Sequence, residues 1–149
     1  MDIPLKVYGV IPDDKADAHV LLLRDERGTD VLPIWIGAAE GNSIRLAMEG
    51  VSPARPLTHD LLKSLVDHFR VTVEKVVVSA VRDITYYASV HLSHNGHSFV
   101  IDARPSDAIA LAIRSNASIY VAEEVIKGRA MEGLDTWLER LNPENKHEA

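Results

Sequence analysis

Apolar positions along this chain alternate between a spacing of two and a spacing near 3.6. Residues 5–11 (Leu-Lys-Val-Tyr-Gly-Val-Ile) predict a strand that Pro12-Asp13-Asp14 closes. Residues 18–25 predict a second, with Val20-Leu21-Leu22-Leu23 at its centre. A turn containing Gly28 leads into an antiparallel return over residues 30–36, where Pro33 cannot donate to a ladder and so marks an edge or a bulge. From Ala38 to Glu49 the period becomes helical through Ile44, Ala47, Met48 and Val51, and Gly50 suits the stop. A second helix follows the stiff Ser52-Pro53-Ala54-Arg55-Pro56 linker, with Thr58 as expected cap and Leu61, Leu62, Leu65, Val66 and Phe69 in one stripe.

The valine-rich residues 71–81 predict a central strand, apolar on both faces. Residues 84–92 alternate, with Ile84, Tyr86, Ala88, Val90 and Leu92 on one side. Asn95-Gly96 is a strong hairpin signal. A two-residue loop there sets His94 against His97, Leu92 against Phe99, Val90 against Ile101, Ala88 against Ala103 and Ser89 against Asp102. Pro105 opens an almost wholly apolar helix to about Ser115, and residues 118–122 form a last strand. Leu134, Trp137, Leu138 and Leu141 fit a short amphipathic helix. The pattern predicts an α+β fold: one domain over residues 1–127, a mostly antiparallel mixed sheet packed by three to four helices. Residues 128–149 are then a C-terminal amphipathic helix and tail. The strand carrying Ile34, Trp35 and Ile36 near an edge predicts a homo-oligomer.

Composition narrows the chemistry. The chain has 149 residues, no cysteine, and a net charge of −6. Thiolate metal sites, cysteine nucleophiles and disulfides are excluded, and a strongly basic nucleic-acid binder is disfavoured. No apolar run approaches a membrane span, and the N-terminus has no signal-peptide pattern, so the expected location is cytoplasmic. Walker loops, Gly-rich dinucleotide turns, His-Glu-x-x-His and Gly-x-Ser-x-Gly do not occur.

Two helices start alike, at Arg55-Pro56 and Arg104-Pro105, each with an acid in its first turn. Such starts attract anions. They are also what plain capping looks like, with Thr58 and Ser106 as caps and Asp60 and Asp107 answering the dipole. Asp83, Asp102, Asp107 and Glu40 are oxygen donors of the kind hard cations take, though surface solvation explains them equally. His59 is a candidate proton carrier or an exposed first-turn residue. His94 and His97 form either half of a zinc site or a solvated tip.

Several segments resemble one family. Leu32-Pro33-Ile34-Trp35-Ile36-Gly37 with Glu40, Arg55-Pro56-Leu57-Thr58-His59-Asp60-Leu61-Leu62, Arg82-Asp83-x-Thr85-Tyr86-Tyr87-Ala88, Ile101–Ala112 and Val121-Ala122-Glu123-Glu124-Val125 resemble, in order, the motifs of the bifunctional nuclease domain. Ile84 and Gly41 depart from it, where Gly and Ala are expected. The resemblance implies DNase and RNase activity, with DNA and RNA as substrates. For that chemistry the residues offer His59, Asp107 and Glu40 as catalytic groups and Arg55 and Arg104 as phosphate holders. Glu40, Asp102 and Asp107 are candidate ligands of Mg²⁺ or Mn²⁺. The alternative is a non-enzymatic regulatory or binding module that homo-oligomerises.

Overall fold

The computed structural model describes residues 1–13 and 17–128. The strands are β1 (Asp2–Asp13), β2 (Ala18–Arg24), β3 (Val31–Gly37), β4 (Thr72–Arg82), β5 (Thr85–His94), β6 (His97–Ala103) and β7 (Ser118–Ala122). The helices are α1 (Ala38–Met48), α2 (Thr58–His68), α3 (Pro105–Ser115) and α4 (Glu123–Gly128). The strands form one seven-stranded sheet in the order β3-β2-β1-β7-β4-β5-β6. Among the described residues only β4 and β7 pair in parallel. The expected α+β architecture of a mostly antiparallel mixed sheet packed by helices is the one found. No helix among the described residues is long and apolar enough to cross a membrane. The Leu134, Trp137, Leu138 and Leu141 stripe lies outside the described residues.

The apolar run of β2 is explained by burial on both faces: Val20, Leu21, Leu22 and Leu23 are each at most 1% exposed. Leu21 and Leu23 join Leu32, Ile34, Ile44, Ile109, Val76, Val78 and Val121 in the main core, between the sheet and α1 and α3. Each such side chain contributes roughly 1.5–3 kcal/mol by leaving water. The 84–103 hairpin takes the predicted register, including Val90 opposite Ile101 and Ser89 opposite Asp102. β3 is an edge strand, as Pro33 requires.

Two expectations are corrected. Ile84 does not extend the strand alternation: Arg82 pairs with Thr85, and Asp83-Ile84 is the loop between them. Asp83 carries the positive φ of 57°, which a short polar side chain tolerates, so position 84 needs no glycine and Ile84 is exposed. The caps are not Thr58 and Ser106 but the preceding Leu57 and Arg104, neither with a side-chain cap. On the β3 edge Ile34 and Ile36 are buried in the core, while Trp35 is 47% exposed. In the α2 stripe Leu61, Leu62, Leu65 and Phe69 are exposed and Val66 packs partly, while the buried α2 residue is His59. Amphipathic spacing identifies an apolar face but not what covers it.

The other departure from the family pattern has a steric reason. A Cβ on Gly41 would overlap the ring of His19 on β2, so His19 fills the space an alanine methyl would take.

Candidate functional site

Three helices begin at one end of the molecule, and each carries an acid at its third position: Glu40 in α1, Asp60 in α2 and Asp107 in α3. Acids are favoured there because the unpaired N–H groups of the first turn make a positive end. α3 packs against both α1 and α2, which brings the three starts together. Between them lies a cleft of about 480 Å³, lined by Ala39, Glu40, Ser43, the Pro56–His59 segment, Arg104 and Asp107. A larger cavity of about 620 Å³ lies between β1 and the opposite ends of α1 and α3 and contains none of these residues.

His59 is 7% exposed, and both of its ring nitrogens are engaged. Nδ1 lies 2.6 Å from Ser43 Oγ, and Nε2 lies 2.8 Å from Asp107 Oδ1. Asp107 is an acceptor, so Nε2–H donates to it. Arg114 donates to Ser43 Oγ at 3.0 Å, so the hydroxyl bridges the guanidinium and the imidazole. Arg114 also donates to the Ser43 carbonyl, the Ala110 carbonyl and Asp60 Oδ1. Asp60 in turn accepts from the Leu57 N–H at 2.9 Å, fixing the first turn of α2. Three helices are therefore stitched by one buried guanidinium.

Facing the cleft, Arg104 holds Asp107 with a fork, Nε to Oδ2 at 2.8 Å and a terminal nitrogen to Oδ1 at 3.1 Å. Its other nitrogen reaches Glu40 Oε1 at 3.3 Å. The Arg104 side chain is 65% exposed, so the guanidinium is both organised and open to solvent. Glu40 folds back over Gly37, where a Cβ would collide with its carboxylate.

These contacts move acidities. Burial opposes ionisation of Asp107, but hydrogen bonds and charge from Arg104 and His59 outweigh it and hold the carboxyl below its ordinary value. The Arg114 hydrogen bond, with the Leu57 N–H, does the same for Asp60. The Asp107 hydrogen bond holds Arg104 protonated still more firmly than usual. A carboxyl with a depressed folded pKa stabilises the fold above its unfolded value and loses that contribution as pH falls through the folded one. The urea midpoint should therefore stay flat on acidification and then fall below the ordinary aspartate value of 3.8. Asp60→Asn should lower the neutral plateau and shallow this acid limb. An unchanged limb in Asp60→Asn would contradict the assignment.

The structure thus brings Glu40, His59, Arg104 and Asp107 together. It does not bring Asp102, which lies on β6 opposite Ser89, or Arg55, which is exposed and outside the cleft lining. The sequence reading missed Ser43 and Arg114. Their signals were present: Ser43 lies one turn after Glu40, and Arg114 is a basic residue ending an apolar helix. Asp83 lies in the β4–β5 turn, away from the cleft lining. His94 donates through Nδ1 to the Arg70 carbonyl and accepts from Asn95 at Nε2, a structural arrangement at the hairpin tip.

The carboxylates do not fit a divalent ion as they stand. The Arg104 guanidinium occupies the position between Glu40 and Asp107, and both Asp107 oxygens already accept from cationic or ring N–H donors. Among the described residues no group of three or more His, Asp or Glu is placed to hold a metal.

The profile described as "Bifunctional nuclease domain" matches residues 21–133. An uncharacterized protein of Mycobacterium tuberculosis (strain ATCC 25618 / H37Rv) is 38% identical over 122 residues, covering 82% of this chain and 73% of its own. Bifunctional nuclease 1 of Arabidopsis thaliana is 33% identical over 117 residues, 76% of this chain and 36% of its own length. Bifunctional nuclease 2 of Oryza sativa subsp. japonica is 30% identical over 112 residues, 72% of this chain and 34% of its own length. The chain therefore spans about a third of the plant proteins it matches.

Proposed function

Because the chain belongs to the bifunctional nuclease domain family, we propose that this cleft hydrolyses phosphodiester bonds of DNA and RNA. The observation that carries the reading is Arg104, an organised yet exposed guanidinium where three helix starts meet. A phosphate entering the cleft takes Arg104 as a forked donor and adds the free N–H groups of the α1 and α2 first turns. Charge on the phosphate oxygens is then compensated by protein groups that are already in place. Glu40, beside that point, accepts the proton of an attacking water, and Asp107 holds Arg104 in place. His59 positions Asp107 and, through Ser43, gives the cleft a connected path for a proton. No step is assigned to Mg²⁺ or Mn²⁺, since the carboxylates as arranged are held by Arg104. The chain works as a homo-oligomer in this reading.

A second reading, a module that binds nucleic acid without cutting it, draws support from the net charge of −6 and from the two carboxylates that already neutralise Arg104. The test is cleavage of end-labelled DNA and RNA oligonucleotides by highly purified protein in Mg²⁺, in Mn²⁺ and in chelator. Cleavage of both polymers is expected. Salt-dependent binding with no cleavage in any of the three would favour the second reading.

A further inference from the structure

At one edge of the sheet the apolar residues of β6 stand open. Among the described residues no strand lies beyond β6, and its Phe99, Val100 and Ile101 are 48%, 62% and 52% exposed. β6 itself lacks most devices that protect an edge. β6 carries no Pro and no Lys, its pairing with β5 has no bulge, and its single Asp or Glu is Asp102.

We propose that this edge docks a second copy of the chain, by antiparallel pairing of β6 with its counterpart about a two-fold axis through Val100. Self-complementarity identifies the occupant. Val100 is the middle residue of β6, so an axis there pairs every residue of the strand. Phe99 then faces Ile101, and Asp102 faces Ser98, a hydroxyl donor. The chain already matches Asp102 with a hydroxyl in this way at Ser89. An axis through Ile101 would set Asp102 against Val100, and an axis through Asp102 would oppose like charges. A two-fold normal to the sheet keeps the helices of both copies on one side. The sheet then continues across the axis. The partner subunit's His97 stands opposite Ala103, one residue from Arg104, which adds an imidazole to the rim of the cleft.

This inference specifies the homo-oligomer of the functional reading and stands independently of cleavage. The chain has no cysteine, so Val100→Cys introduces a single thiol. Antiparallel partners lie about 4.5–5.5 Å apart at Cα, within disulfide reach. Light scattering at micromolar concentration should give at least twice the chain mass. Oxidised Val100→Cys should run as a covalent dimer, whereas Ser98→Cys should not, its copy lying about 13 Å away. Val100→Lys should halve the mass while far-UV circular dichroism stays unchanged. A wild type at the monomer mass overturns the proposal. So does a dimer that Val100→Lys leaves intact, or equal cross-linking from positions 98 and 100. Cleavage is measured separately on the same wild type, so loss of activity and loss of pairing are told apart.

Discussion

His59→Ala is expected to keep the fold and to lose on the order of 10²–10⁴ in cleavage rate, the usual scale for a group in proton transfer. The ring is polar and lines the buried side of the cleft, so its removal enlarges the cleft and opens no void in the apolar core. Its loss releases Asp107 from the 2.8 Å bond that fixes its orientation and breaks the path to Ser43. Asp107 then follows Arg104 alone. His59→Gln, which can retain one of the two bonds, should be less impaired. Initial rates on a labelled oligonucleotide, with thermal melts of each variant, read both effects. A His59→Ala protein that melts normally and cuts at the wild-type rate would remove His59 from the mechanism.

The largest effect on stability belongs to Arg114. Its side chain is 9% exposed and serves Asp60, Ser43 and Ala110. Arg114→Met keeps most of the stem and deletes the charge. The deletion leaves Asp60 without its cation and leaves the Ser43 oxygens without a donor. Breaking a buried pair from one side typically costs ~3–5 kcal/mol. Asp60 is 30% exposed, which lets water relieve part of that cost and points to the lower end, about 3 kcal/mol. Urea denaturation should show the drop, and Asp60→Asn combined with Arg114→Met should cost less than the two single changes added. Full additivity would mean that the pair does not couple.

Much of the fold was legible because its signals are local. Asn95-Gly96 fixes a two-residue loop, and the loop fixes every pair down to Ala88 and Ala103. Pro33 and Pro105 mark an edge and a helix start for reasons of their own geometry. The site was legible only in part. The second Arg-Pro helix start carries the cleft arginine, while the first contributes His59 and not Arg55. Proximity to a helix start in sequence says nothing about which way a loop side chain points. Asp102 was misplaced for a similar reason, since one strand residue before a helix start can face away from it. Ser43 and Arg114 meet across 71 residues of chain, a contact no local pattern encodes. The α2 stripe shows the limit of spacing: it marks one apolar face, but such a face can be buried or exposed, and periodicity is the same in both cases.

The central claim is that phosphodiester cleavage takes place in the cleft where Arg104 is held by Glu40 and Asp107. The most direct test is kcat/KM of Asp107→Asn beside wild type, purified in parallel so that any contaminating nuclease is common to both. Asn keeps the size and one acceptor, so the fold should persist. It carries no charge, so it pairs only weakly with Arg104. The account predicts a loss of at least about 10²-fold for DNA and RNA alike. Equal kcat/KM for a folded Asp107→Asn and the wild type would contradict it.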